Sequence, residues 1–226
     1  MTASKTVLPL AVLISGRGSN MLAIAQACAQ GRIGARVVRV IADRDDAPGI
    51  QAARALGLAT QVVSGSGIPK AQFEAQLAQT LDESAAELVA LAGFMRILSP
   101  GFVEPRVGRL LNIHPSLLPR YRGLDTHRRA LAAGDSEHGA SVHYVTPELD
   151  AGPLICQGRL SVAAGQTEAE LSARVHRLEH RIYPMVIGLI AAGRVRLTGA
   201  QVLLDGSALV TPLQVSETGD ADGAPT

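Results

Sequence analysis

The chain has no tryptophan and only three phenylalanines and three tyrosines among its 226 residues. A core built around large aromatic rings is therefore excluded. The interior has to be filled by Ala, Val, Leu and Ile, which suits a parallel sheet covered by helices. Cysteine is equally scarce: Cys28 and Cys156 have neither metal-ligand spacing nor a paired redox motif, which argues against a disulfide scaffold or a zinc site and for two ordinary thiols in a reducing, cytoplasmic setting. There is no excess of one charge either. With 21 Lys and Arg against 20 Asp and Glu, the formal net charge is +1, so no global field favours nucleic acid or an anionic membrane. No apolar run approaches the roughly 20 residues needed to cross a bilayer as a helix. The run over 7–14 follows a single Lys but passes straight into a Gly-rich turn, and a first buried strand explains it better than a signal peptide.

What is present is a rhythm. Apolar runs over 7–14, 37–42, 59–63, 88–91 and 110–113 alternate with helix-like segments over 21–30, 49–56, 70–82 and 126–133. This βαβ alternation predicts a doubly wound, mostly parallel α/β sheet. After residue 133 the pattern changes. Runs over 140–145 and 154–160 are joined through Pro147, Asp150, Gly152 and Pro153 with no helix between them, which predicts an antiparallel C-terminal extension. Thr167-Glu168-Ala169-Glu170 carries a capping-box signature. It opens a helix whose Leu171, Val175, Leu178, Ile182, Val186 and Leu189 recur at three- and four-residue steps. The segment 195–204 reads as an edge hairpin. The expectation is a single domain over 1–205 with a flexible tail over 206–226, disordered from Ser216 onward because that end is small, polar and acidic.

Three loops could carry chemistry. Ser15-Gly16-Arg17-Gly18-Ser19-Asn20 lies between the first strand and the first helix, where amides at a helix N-terminus hold phosphate. A dinucleotide fingerprint would need a third Gly that this loop lacks, although Asp43 stands where a ribose partner would; a monophosphate site and a plain turn both remain open. Asn112-Ile113-His114-Pro115 lies at a predicted strand end, where ligands collect in open α/β sheets. Residues two apart on a strand share a face, so amide and imidazole project together, as an oxyanion at a carbonyl carbon would require. A capping Asn and a structural His are the competing explanation. Glu148-Leu149-Asp150-Ala151-Gly152-Pro153 sets a carboxylate in a turn, either to bond the local backbone or to sit beside His114 and favour the imidazolium. His138 and His143 flank a strand, and His176 and His180 lie four apart on the long helix with no third ligand in view. No catalytic metal is expected. Gly-x-Ser-x-Gly is absent and neither cysteine lies in a nucleophile motif, so an acyl-enzyme is unsupported.

Taken together, Ser15 to Asn20, Leu91-Ala92-Gly93-Phe94-Met95-Arg96-Ile97-Leu98, Asn112 to Pro119 and Glu148 to Pro153 resemble the folate-dependent formyltransferases. Leu178-Glu179-His180-Arg181-Ile182-Tyr183-Pro184 adds to the likeness, which covers about Val7 to Asp205. The order and spacing of the first three stretches are similar to those of members that formylate glycinamide ribonucleotide in de novo purine biosynthesis. The resemblance implies a cytoplasmic enzyme with 10-formyltetrahydrofolate as donor, a monomer or homodimer with no nucleic-acid or membrane partner. It also implies Asn112, His114 and Asp150 as catalytic residues, with Gly18, Ser19 and Asn20 at the substrate phosphate and His176, Arg177, Leu178 and Glu179 at the same substrate. The folate pocket maps onto Lys70, Met95, Arg96, Ile97, Leu98, Asn112, Thr146, Pro147, Glu148, Leu149 and Asp150.

Three departures stand out: Arg17 and Asp125 replace an Asn and a His common in the family, and Tyr121-Arg122 lacks a frequent Pro. A formate-releasing hydrolase of the same family would be expected to add an N-terminal regulatory domain. A tRNA formyltransferase would add a C-terminal domain and a basic surface. Sugar-nucleotide formyltransferases share the chemistry. A noncatalytic nucleotide-binding module would leave Asn112, His114 and Asp150 without a use.

Overall fold

The computed structural model describes residues 7–217 and 221–222. Its centre is a nine-stranded sheet in which β1 (Leu8–Ile14), β2 (Ala35–Ala42), β3 (Thr60–Val62), β4 (Leu88–Leu91) and β5 (Leu110–His114) run parallel in the order β5-β4-β1-β2-β3. The strand order reverses between β4 and β1, and such a reversal opens a crevice at the C-terminal strand ends. Along β1, alternate side chains feed opposite layers, as the two-residue period of a strand requires. Leu10, Val12 and Ile14 join the core under α1 (Ser19–Ala29) and α2 (Pro48–Ala55), whereas Ala11 and Leu13 join the layer under α3 (Lys70–Glu83) and α4 (Pro100–Val103). Burial on both faces explains why the strand is apolar throughout rather than alternating.

Helix α5 (Thr126–Ala132) leads into the antiparallel part, where β6 (Glu137–Tyr144) pairs with β5 and β7 (Leu154–Ser161) pairs with β6. Helix α6 (Glu168–Ala191) starts at the expected capping box, with Thr167 accepting from the Glu170 amide and the Glu170 side chain accepting from the Thr167 amide. Leu171, Val175, Leu178, Ile182 and Val186 are all buried in the main core. Each such side chain contributes on the order of 1.5–3 kcal/mol relative to exposure, enough to carry the helix through Pro184, whose ring removes one internal hydrogen bond. The helix lies directly on β7: a methyl group on Gly158 would fall 2.5 Å from Leu178 Cγ.

Two expectations are corrected beyond α6. The segment 195–204 is not an edge of the main sheet. Its strands β8 (Val195–Thr198) and β9 (Gln201–Leu204) form a separate antiparallel sheet with β10 (Ser207–Ala208). The expected flexible tail also starts too early. Strand β11 (Leu213–Ser216) pairs in parallel with β7, burying Leu213 and Val215, and β12 (Ala221–Asp222) pairs with β11. The apolar alternation of Leu213 and Val215 gives the chain a reason to return to the sheet. The rest of the expected tail, 218–220 and 223–226, lies outside the described residues. No helix among the described residues is long and apolar enough to cross a membrane.

Candidate active site

A cleft of about 630 Å³ opens at the C-terminal ends of β1, β4 and β5. One wall is the turn into α1. Gly18 at the helix N-cap has φ 72 and supplies no side-chain cap, so the first amides of α1 are left for a ligand. Asn20 is buried, donates from Nδ2 to Glu179 Oε2 at 2.8 Å, and leaves its Oδ1 buried without a partner among the described residues. Burial pushes the Glu179 carboxyl up to about 7, with the Asn20 bond working against the shift. His176 lies lower than an ordinary imidazole, first through burial and then through the charge of Arg17. Both Arg17 and His176 line the cleft.

The second wall is the loop after β4. It is tied to the first by Ser15, whose Oγ accepts from the Met95 amide at 2.9 Å. Met95 and Ile97 are exposed despite their size, giving an apolar ledge that continues through Leu98 and faces Thr146, Pro147, Glu148 and Leu149 across the cleft. Exposed apolar surface lining a concavity marks a ligand site more readily than scattered exposed Leu.

The floor is the end of β5. Asn112 and His114 project to one side, as strand geometry predicted, and both meet Asp150. Asn112 Nδ2 lies 3.4 Å from Asp150 Oδ1, and His114 Nδ1 lies 3.4 Å from Asp150 Oδ2. Asp150 adopts a left-handed backbone (φ 49) and also accepts the Gly123 amide at 2.9 Å. Its turn needs Gly152, where a methyl group would fall 1.8 Å from the Tyr144 carbonyl oxygen. His114 Nε2 lies 2.9 Å from the Tyr121 carbonyl oxygen, which can only accept, so this nitrogen carries a proton. Both ring nitrogens therefore face acceptors, and the imidazolium satisfies both.

His143 joins this group, although the sequence reading left it as a strand flank. It stands opposite Asn112 across the β5–β6 pair. Its Nδ1 donates to the Tyr144 carbonyl at 2.9 Å, and its Nε2 lies 3.3 Å from Asn112 Nδ2. Burial holds the ring below its usual range, so it is neutral and Nε2 accepts from the Asn112 amide. Only the β5–β6 register, which no motif encodes, could have brought His143 forward.

Three expected residues do not line the cleft. Leu178 faces the core against Gly158. Arg177 is exposed and acts on Glu217 instead. A helix turns about 100° per residue, so the run from His176 to Glu179 cannot point one way. Lys70 sits at the start of α3, 3.9 Å from Glu74, which in turn accepts the Ser99 amide beside the Leu98 ledge. Behind the Asp150 turn lies a second depression of about 620 Å³, lined by Leu118, Pro119, Val202 and Leu209. Asp150 borders it as well, but Asn112 and His114 do not. Among the described residues, no group of three or more His, Cys, Asp or Glu could hold a metal ion.

Comparison with known proteins agrees with this layout. Residues 8–187 match the family described as formyl transferase. The chain is 49% identical over 201 residues to a phosphoribosylglycinamide formyltransferase of Escherichia coli K12, covering 88% of this chain and 95% of that one. The solved phosphoribosylglycinamide formyltransferase of Coxiella burnetii superimposes with a TM-score of 0.88 at 48% identity, over 92% of this chain and 99% of that one. Glycinamide ribonucleotide transformylase 1 of Symbiobacterium toebii gives a TM-score of 0.86 at 40% identity, covering 90% and 97%. Identity of this extent over nearly the whole length of these relatives places the chain in the formyl transferase family, among its phosphoribosylglycinamide formyltransferases.

Proposed function

We propose that this chain transfers the formyl group of 10-formyltetrahydrofolate to the amine of glycinamide ribonucleotide, giving formylglycinamide ribonucleotide and tetrahydrofolate in de novo purine biosynthesis. The observation that carries the reading is the meeting of the Asn112 amide, the His114 ring and the Asp150 carboxylate on the floor of one cleft. The free amine attacks the formyl carbon, and the carbonyl electron pair moves onto oxygen. Asn112 and protonated His114 stabilise that oxyanion, each such donor being worth roughly 3–4 kcal/mol in a transition state. Collapse of the tetrahedral intermediate breaks the bond to the folate nitrogen, which takes up the proton lost by the amine. Asp150 orients His114 or an ordered water for that transfer. No acyl-enzyme and no metal enters these steps.

The contacts of 3.3 and 3.4 Å around Asn112, His114 and Asp150 are long. Catalytic hydrogen bonds commonly tighten or exchange only when substrate is bound, and His114 needs such an exchange to turn an N–H toward the formyl oxygen. The acceptor's phosphate sits on the amides of Gly18, Ser19 and Asn20, with Arg17 alongside and Glu179 and His176 toward the remainder of the acceptor. The pterin occupies the slot between the Met95 to Leu98 ledge and the Thr146 to Asp150 turn. The same reading places a monomer or homodimer in the cytoplasm, consistent with two free thiols, acting on small molecules with no nucleic-acid or membrane partner.

Incubation with both substrates, with formylated product and free formate measured separately, tests acceptor and reaction together. Stoichiometric formylated product supports transfer. Formate alone would identify a hydrolase, and neither product would overturn the reading.

A further inference from the structure

Asp43 closes β2 behind the cleft, without lining it. It is buried, with Oδ2 accepting from Arg96 Nε at 2.8 Å and Oδ1 buried without a partner among the described residues. A half-satisfied buried carboxylate is poor material for stability, because desolvation costs about as much as the pair returns. Its geometric effect is definite. Arg96 has its guanidinium carbon 4.6 Å from the Phe73 ring centre. A methyl group on Gly65 would fall 2.1 Å from that carbon and 2.3 and 2.4 Å from its two terminal nitrogens. The guanidinium thus lies flat on a glycine, over an aromatic ring, with its inner nitrogen bonded to Asp43. Its terminal nitrogens donate no hydrogen bond among the described residues, and the side chain is 35% exposed where it borders the cleft.

We propose that Asp43 and Gly65 are positioning residues that hold Arg96 as a preset anion clamp for the carboxylate-bearing tail of the folate donor. The inference rests on the formyl-transfer reading for the identity of the donor. A guanidinium binds carboxylate best through two parallel N–H bonds, and that fork is useful only if its plane is fixed. Here Asp43 engages the inner nitrogen and leaves the outer edge free. Fixing the plane in the unliganded protein lowers the ordering cost of binding.

Replacing Asp43 by a neutral residue would add positive charge that itself attracts the tail, so the informative variants conserve charge. Gly65→Ala and Asp43→Glu are measured with 10-formyltetrahydrofolate and with its bis-amide, in which both tail carboxylates are neutral. Each variant should raise the KM of the charged donor by about tenfold, with less than about twofold change for the bis-amide, for the acceptor KM and for kcat. Arg96→Gln should raise the same KM, and adding Gly65→Ala to it should cost nothing more. Equal losses with both donors would mean that Asp43 and Gly65 only support the fold of the loop. An unchanged KM for the charged donor in folded Gly65→Ala would also overturn the clamp. Equilibrium binding of folate and of its bis-amide to the wild-type chain separates the two readings. No preference for the charged tail sinks the clamp, whereas that preference without formyl transfer sinks only the activity.

Discussion

The Asn112 amide is held from behind by His143, with Nδ2 of the one 3.3 Å from Nε2 of the other. The bond fixes which end of Asn112 donates, because His143 has already committed Nδ1 to the Tyr144 carbonyl. His143→Leu should therefore leave Asn112 in place but free to rotate. We expect kcat to fall by roughly tenfold while both KM values hold within about twofold. Unchanged turnover would remove His143 from the machinery.

Asp150→Asn tests charge at nearly constant shape. Oδ2 of Asp150 serves both the Gly123 amide and His114, and Oδ1 faces Asn112. An amide has only one oxygen for these donors, so it opposes a second N–H2 group to Asn112 or abandons Gly123. The protein should stay folded and turnover should drop by at least roughly two orders of magnitude. A variant that binds both substrates with near-native turnover would show that Asp150 is not the electrostatic partner.

Ser19 opens α1 in the turn proposed to hold the acceptor's phosphate. Ser19→Asp suits a helix N-terminus and should not disturb folding, but it sets a negative charge against the phosphate. The acceptor KM should rise by at least about tenfold with the donor KM unchanged. Unaltered acceptor affinity would move the phosphate elsewhere.

Stability should peak within a bounded pH range. His127 Nδ1 lies 3.0 Å from His138 Nε2, and burial, the largest cause for each, pushes both rings down to about 4 from the usual 6.5. Between those values the unfolded chain binds protons that the native pair refuses, so stability is complete above about 6.5 and falls as pH drops through the window. Glu179 has the opposite sign. Its carboxyl is raised to about 7 from 4.5, so the native state keeps a proton that the unfolded chain releases, and this contribution is lost as pH rises toward 7. Denaturant midpoints across about pH 4 to 8 should show both limbs. His138→Gln should flatten the acidic limb and Glu179→Gln the neutral one; limbs that survive these changes would refute the assignment.

The parallel half of the sheet was legible because its strands are apolar throughout and the segments between them carry helical spacing. The floor of the cleft was legible in part, since Asn112 and His114 share a strand face by simple alternation, and Asp150 was marked by its Pro and Gly neighbours. His143 was not legible, because its relation to Asn112 depends on the β5–β6 register. Asp43 was visible only as a possible ribose partner; its pairing with Arg96 joins residues 53 apart in sequence. Arg177 and Leu178 were carried along as neighbours of Glu179, although helical rotation sends them elsewhere. Polar composition concealed β11, whose Leu213 and Val215 are the only strong apolar alternation after β10.

That strand has a practical bearing. A gene shortened after Asp205, as composition alone would recommend, removes the partner along one side of β7 and leaves its backbone donors and acceptors open to water. Such an open side is a template for pairing with any other extended chain. The shortened product would retain every residue of the cleft, yet its weakness would be clumping during expression rather than lost catalysis, and the yield of dispersed protein would report it before any assay did.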